Sequence, residues 1–207
     1  MTRDQERKAR SVELPVVGGL PEVPGIVAAM HLSPHLALHL RGLADALLVD
    51  DFPGATLTRD DRELIATAVS AGNDCFYCMD SHGAFATELL GRVSKDRAGI
   101  EALVDGIKAG GSEGVSPKLA ALLHVARKVG HNAREVTRED VARALEVGAT
   151  DADTQLTVLI ASAFCMYNRM VDGLRAKTPP TPEAYRARAA EIAEHGYSDP
   201  RVRSLPR

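Results

Sequence analysis

The sequence predicts an all-α protein. Aromatic residues make up only 4% of the 207 residues, Trp is absent, and Ala and Leu are abundant. This composition favours helices over strands. Helix-start signals recur along the chain, and no sustained alternation of apolar and polar residues indicates a strand. We therefore expect roughly seven to nine helices packed around a common core.

Each predicted helix begins at its own signal. Ser33 followed by Pro34 predicts a helix that runs to about residue 49, because Pro is favoured at the first helical position. Thr58 with Asp61 resembles a capping box and opens the next helix. Gly72 and Asn73 interrupt that helix, and a further helix is predicted over 75–90.

The longest helix is predicted over 152–175, capped by Asp151. Its middle, VLIASAFCM, is apolar on nearly every side. Such a helix is expected at the centre of the core or at a subunit interface. Further helix starts are indicated at Ser116, Thr137 and Pro182.

Length and charge narrow the class of protein. We expect one domain over 1–207 with its core at about 15–175, and loose ends at 1–11 and 197–207 that could wrap a partner subunit. A net charge of −3 gives no electrostatic reason to expect nucleic acid or an anionic membrane as a partner. Neither a transmembrane span nor a signal peptide is indicated, so we expect a cytoplasmic protein.

The motif Cys75-Phe-Tyr-Cys78 with His82 carries the strongest chemical signal. On a helix, these two cysteines and the histidine lie within about 60° of one face. His82 follows Cys78 by one helical turn and can favour the thiolate of that residue. Cys78 is therefore the better candidate nucleophile. Cys75 is near enough to form a disulfide with it, which predicts a two-electron redox centre.

Glu63 precedes Cys75 by twelve residues. On one continuous helix the two would be ~18 Å apart, too far for a shared site. The break at Gly72 and Asn73 allows the first helix to fold back beside the second and bring Glu63 towards His82. A carboxylate in that position would orient the imidazole ring.

Metal binding is the main alternative interpretation of the motif. A Cys₃His zinc set could be formed by Cys75, Cys78, His82 and Cys165. Zinc usually takes its CxxC pair from a turn, whereas these residues share one short helical face, so this alternative is less favoured. His35 and His39 form an i,i+4 pair without a nearby carboxylate and are weak evidence for a metal. We expect no metal and no cofactor.

A polar group ends the long apolar helix. Asn168, Arg169 and Asp172 form either a C-terminal cap with a salt bridge or part of the wall of a site. Cys165, in the same helix, is expected to be a small core residue.

The segment DRELIATAVSAGNDCFYCMDSHG, with Glu63 before the CxxC and His82 motif, resembles the AhpD-like alkylhydroperoxidases of the carboxymuconolactone decarboxylase superfamily. The resemblance is closest to their peroxidase-related branch. LPEVPGIVAAMHLSPHLALHLRGLADALL and AFCMYNRMVDGL are also similar to family segments, so that the resemblance covers most of residues 15–175.

The resemblance implies an all-α fold that assembles as trimers or hexamers. It also implies reduction of a hydroperoxide without haem, flavin or metal, at the expense of an external dithiol. The family's proton relay corresponds to Glu63, His82 and Cys78, with Cys75 as the resolving thiol.

One departure from the family concerns the surroundings of this pair. Tyr77 stands where the best-known members carry a histidine, so a phenol would supply any second relay arm. Tyr77, Asn168 and Arg169 are the candidate substrate-binding residues. A lactone decarboxylase of the same superfamily is the alternative function, although such enzymes do not depend on a CxxC pair.

Overall fold

A computed structural model of the protein describes residues 2–199. Within them the chain forms ten α-helices and no β-strand, which confirms the predicted all-α fold. The helices are α1 (Arg3–Ser11), α2 (Ile26–Leu32), α3 (Pro34–Leu48), α4 (Arg59–Gly72), α5 (Phe76–Val93), α6 (Arg97–Lys108), α7 (Pro117–Asn132), α8 (Arg138–Glu146), α9 (Asp151–Gly173) and α10 (Arg186–His195), with short 3₁₀ turns at Ala133–Glu135 and Pro182–Tyr185.

The predicted helix starts of α4 and α8 are confirmed by their caps. Thr58 and Thr137 each accept a hydrogen bond from the backbone N–H three residues later, and the acidic residue at that position bonds back to the cap. The cap of α9 is Thr150 instead of Asp151, because Thr150 forms the same capping box with Asp153. Local polar groups therefore fix where these helices begin.

The break between α4 and α5 is the turn on which the fold depends. Asn73 ends α4, and Asp74 takes a left-handed backbone conformation with φ of 53°. The backbone N–H of Cys75 then donates to the carbonyl of Ser70 at 3.0 Å. As the sequence predicts, α5 returns along α4, so residues distant in sequence on the two helices become neighbours.

The main core lies where α4 meets α7 and α9, and where α10 packs against α5. Ile65, Leu122, Ile160 and Ile192 are buried in it. The long helix α9 is central, as predicted, but it leaves one stripe exposed that includes Met166. The core also extends beyond the predicted limit at residue 175, because α10 contributes to it.

The N-terminal segment differs from the expected loose end. Its residues 3–11 form α1, and Arg7 makes an ion pair with the buried carboxylate of Asp80 at 2.7 Å. The guanidinium of Arg7 also lies over the ring of Phe76. A buried carboxylate needs such partners, since an unpaired buried charge is costly. The expectation of a loose segment at 1–11 is therefore wrong for the part that the structure describes. With α1 included, the number of described α-helices is ten, above the predicted seven to nine.

At the other end, residues 197–199 also pack on the protein, while 200–207 lie outside the described residues. None of the described helices is both long and apolar enough to cross a membrane. The organisation of the chain as one domain stays a prediction.

Asp153 should be a strong stability determinant. It is fully buried, and its carboxylate accepts hydrogen bonds from the backbone N–H groups of Thr56 and Leu57 and from that of Thr150. Asp153→Ala leaves these donors without a partner, so we expect the free energy of unfolding to fall by about 3 kcal/mol. Chemical denaturation measures the change. Asp151→Ala, an exposed change in the same turn, is the control, and equal losses for both variants would contradict this role.

Candidate active site

Glu63 and His82 form a buried pair between α4 and α5. The side chain of Glu63 is fully buried, and its Oε2 lies 2.7 Å from Nδ1 of His82. A carboxylate accepts, so Nδ1 donates, and Nε2 is the ring nitrogen left for a second contact. The rings of Phe85 and Phe164 pack edge-on against the imidazole and fix its plane. The turn between the helices thus brings together the two residues that the sequence predicts as a pair.

Tyr197 is the third member of this cluster, although the sequence pattern predicts a loose end from residue 197 onwards. Its hydroxyl donates to Oε1 of Glu63 at 2.6 Å and lies 3.4 Å from Nδ1 of His82. Its ring stacks on the imidazole with an interplanar angle of 22°. Burial, reinforced by the charge of Glu63, raises the pKa of Tyr197 well above its usual value. This phenol therefore keeps its proton and acts as a fixed donor.

The two cysteines of the motif lie at the start of α5. Cys75 is the N-cap residue and Cys78 lies in the first turn; both are buried and neither forms a disulfide. The hydrogen-bond contact with Cys78, together with burial, raises the pKa of Cys75 well above its usual value. Cys75 therefore keeps its proton at neutral pH.

Asp172 lies beside this pair at the C-terminal end of α9. Its carboxyl group is in hydrogen-bond contact with the Cys75 thiol, and burial raises the pKa of Asp172. One carboxylate oxygen is also 3.5 Å from a guanidinium nitrogen of Arg10. The salt bridge considered for Asp172 is thus present, with a partner from α1, and the carboxyl group also reaches the motif.

Cys78 and His82 line one small cavity. Its volume is about 50 Å³, which leaves room for a small ligand group. The remaining lining residues are mostly apolar or aromatic: Ile26, Val27, Met30, Leu40, Arg41, Ala44, Tyr77, Phe164, Tyr167, Arg188 and Tyr197. Two of the candidate residues, Cys78 and His82, therefore share one mainly apolar recess.

Tyr77 lies in the wall of this cavity, and its role in substrate binding stays a prediction. Its ring packs edge-on against Tyr185 with centroids 5.7 Å apart, and it covers Gly25 so closely that a Cβ there would overlap the ring. Burial raises the pKa of Tyr77 to about 12. Among the described residues its hydroxyl donates to neither Glu63 nor His82, so a relay function for Tyr77 has no contact to support it.

Asn168 and Arg169 do not lie at the cavity. Asn168 is buried, donates to Ser70 Oγ at 3.1 Å and accepts from Asn73 Nδ2 at 2.9 Å. Arg169 is exposed and bonds back to the carbonyl of Cys165 at 3.0 Å. Their role as substrate-binding residues therefore stays a prediction, without support from this cavity. Asn168 instead ties α9 to the break between α4 and α5.

The residues of the alternative zinc set are not arranged as a metal site. In the part of the chain that the structure describes, no three His, Cys, Asp or Glu side chains are placed to hold a metal ion. Cys165 is half-buried, and its sulfur lies near the carbonyl of Gly130 and the amide of Asn73, away from the CxxC pair. His35 and His39 are exposed on α3.

Comparison with known proteins finds similarity to the same family that the sequence motif resembles. Residues 34–91 match the carboxymuconolactone decarboxylase family. The structure resembles an uncharacterized peroxidase-related protein with an alkylhydroperoxidase AhpD core from Ralstonia eutropha JMP134, with a TM-score of 0.65 and 27% identity over 79% of this chain and 80% of that chain. The chain is therefore similar, in sequence over 34–91 and in fold, to the AhpD-like proteins of the carboxymuconolactone decarboxylase superfamily.

A second solved structure shares the fold of this AhpD-like chain. It is an uncharacterized peroxidase-related protein from Silicibacter sp. TM1040, with a TM-score of 0.66 and 21% identity over 84% of this chain and 93% of that chain. No curated protein gives a significant match. The family match over 34–91 includes the CxxC motif but ends far before Tyr197.

Removal of the charge of Glu63 should slow the reaction of Cys78 with an alkylating agent. Glu63→Gln keeps the shape of the side chain but no longer stabilises a protonated His82 beside the thiolate. Since loss of a charge partner commonly shifts a titration by ~1–3 pH units, we expect the alkylation rate near pH 7 to fall by about tenfold or more. The measurement is the pH–rate profile of iodoacetamide labelling at Cys78. Glu101→Gln, an exposed change, is the control; superimposable profiles for wild type and Glu63→Gln would remove Glu63 from the site.

Proposed function

We propose that this chain is a cofactor-free thiol peroxidase of the alkylhydroperoxidase type. Cys78 and Cys75 would form its redox pair, and Glu63 and His82 its proton relay. The observation that carries the proposal is the imidazole of His82, which is hydrogen-bonded to buried Glu63 and lines the same cavity as Cys78. The relationship to a peroxidase-related protein with an AhpD core supports it.

In the first step the Cys78 thiolate attacks the terminal oxygen of the hydroperoxide. The S–O bond forms as the O–O bond breaks, and the departing alkoxide takes a proton from Nε2 of His82. Glu63 stabilises the positive charge of the ring before that transfer. The products are an alcohol and a sulfenic acid on Cys78.

In the second step Cys75 attacks the sulfur of the sulfenic acid. The S–S bond forms, the S–O bond breaks, and the Cys75 proton leaves with the hydroxide as water. Asp172 lies in hydrogen-bond contact with the Cys75 thiol and is placed to carry that proton. An external dithiol then reduces the disulfide and becomes a disulfide itself, which restores both thiols.

The apolar lining of the cavity favours organic hydroperoxides over hydrogen peroxide as substrates. Leu40, Met30 and Phe164 offer contacts to a hydrocarbon group, and such contacts gain free energy in proportion to the apolar area buried. A dithiol reductant requires a reducing compartment, so the cytoplasm is the location we propose.

The two cysteines should respond differently to substitution. We expect Cys78→Ser to abolish hydroperoxide turnover. Cys75→Ser should still permit one oxidation and then stall as a sulfenic acid, because the attacking sulfur remains but the resolving thiol is lost. Mass spectrometry after one equivalent of cumene hydroperoxide distinguishes the products, with Cys165→Ser as the control that should retain turnover.

Two results would overturn this assignment. Oxidation of Cys75 in the Cys78→Ser protein at the wild-type rate would reverse the two roles. Conversion of a lactone substrate that survives Cys78→Ser, with no hydroperoxide turnover in the wild type, would favour the decarboxylase alternative.

We further propose a homo-oligomer, a trimer or hexamer as in the family. Large apolar side chains are exposed on α2 and α3, where Leu38 is 59% exposed, and Met166 is exposed on α9. Their burial against a second copy would remove apolar area from water. Light scattering should therefore give a mass several times that of the chain, whereas a 22.1 kDa species at micromolar concentration would contradict the proposal.

A further inference from the structure

Tyr197 reaches the centre of the candidate site from the C-terminal end of the chain. Its hydroxyl donates to Oε1 of Glu63, the carboxylate oxygen that His82 does not use. We propose that Tyr197 is a positioning residue of the relay, which holds Glu63 ionised and correctly oriented so that His82 can activate Cys78. This inference rests on the proposed function and adds to it a residue outside the CxxC motif.

The backbone around Tyr197 is held in place by α3. Asp45 accepts from the N–H of Tyr197 at 2.6 Å with one carboxylate oxygen, and from the N–H of Ser198 at 2.8 Å with the other. The guanidinium of Arg41 donates to the carbonyl of Tyr197 at 3.3 Å. These bonds fix the position of a residue that follows the last helix, so its hydroxyl is presented to Glu63 in a fixed geometry.

Gly196 makes this approach possible. Its φ is +72°, a conformation that residues with a Cβ rarely adopt, and an added Cβ would lie only 2.7 Å from Oδ1 of Asp45. Glycine therefore allows the chain to turn sharply after α10 and to pass close to the carboxylate. Gly196 thus permits the turn that brings the Tyr197 hydroxyl to Glu63. We take this as support for a specific contact between the two side chains.

The hydrogen bond matters because the Glu63 carboxylate has no access to water. An ionised carboxylate in such a place stays charged only if its oxygens receive hydrogen bonds. His82 supplies one donor and Tyr197 supplies the other. Without the phenol, Glu63 would take up a proton more readily, and the imidazole would lose the charge that makes it basic. Cys78 would then keep its proton to a higher pH.

The phenol that contacts the relay is therefore that of Tyr197 and not that of Tyr77. Tyr77 lies in the cavity wall without a hydrogen bond to Glu63 among the described residues, whereas the Tyr197 hydroxyl contacts both Glu63 and the ring of His82. Because Tyr197 also remains protonated, it stabilises the carboxylate without exchanging a proton with the substrate.

The test is the pH–rate profile of Cys78 alkylation in Tyr197→Phe. This change removes one oxygen and retains the ring that stacks on His82. We expect the midpoint of the profile to move to higher pH and the rate near pH 7 to fall about tenfold, the size typical of a lost hydrogen bond to a charged group. With a hydroperoxide substrate, kcat should fall while KM changes little.

Tyr185→Phe is the matched control. Its hydroxyl is buried and has no hydrogen-bond partner among residues 2–199, and Tyr185 does not line the cavity. It should give the wild-type profile. Asp45→Asn provides a second, independent perturbation, because weaker binding of the segment at residues 197–198 should shift the profile in the same direction.

The outcomes separate this inference from the proposed peroxidase activity, because alkylation needs no peroxide. A shifted profile in Tyr197→Phe without any hydroperoxide turnover by the wild type would support the role of Tyr197 and refute the peroxidase. A profile that superimposes on the wild type, or a uniform decrease at every pH, would overturn the role of Tyr197. If Tyr197→Phe fails to fold, an unshifted Asp45→Asn profile would overturn it instead.

Discussion

The buried charge of Glu63 is the constraint on which the other parts of the site depend. A carboxylate removed from water in a helical core costs several kcal/mol unless its oxygens are hydrogen-bonded. Among residues 2–199 each oxygen has one partner, and the partners come from α5 and from the C-terminal segment. The same two bonds orient the imidazole of His82 towards the cavity of Cys78. An energetic requirement of the core and the geometry of the site are therefore met by the same contacts.

The break between α4 and α5 makes this arrangement possible. Left-handed Asp74 and the amides of Asn73 and Asn168 close the turn, so that α5 returns along α4. The turn also places Cys75 at the N-cap of α5, with its thiol against Cys78. One local feature thus sets both the distance between carboxylate and imidazole and the pairing of the thiols.

Local signals in the sequence were sufficient for most of this structure. The helix starts at Thr58 and Thr137 are predictable because the groups that cap each helix lie within one turn of sequence. The pair of Glu63 and His82 is predictable because it requires only that the chain reverse direction between two helices. Long-range contacts were not predictable in this way. Tyr197 follows the last helix in a polar tail, and nothing near it in sequence indicates that Asp45 anchors it. The position of the N-terminal segment was not predictable for the same reason, since Arg7 pairs with Asp80 on α5. Asn168 is polar at the end of an apolar helix, a pattern that fits a site wall and a structural amide equally well.

In the proposed site, Nδ1 of His82 donates to Glu63 and leaves Nε2 for Cys78 and the substrate. The ¹⁵N chemical shifts of the His82 ring in the reduced protein near neutral pH, assigned by comparison with His82→Gln, measure where the ring carries its protons. We expect a protonated Nδ1, either alone or with Nε2 also protonated beside a Cys78 thiolate. A neutral ring that carries its only proton on Nε2 could not donate to Glu63, and that result would rule out this arrangement.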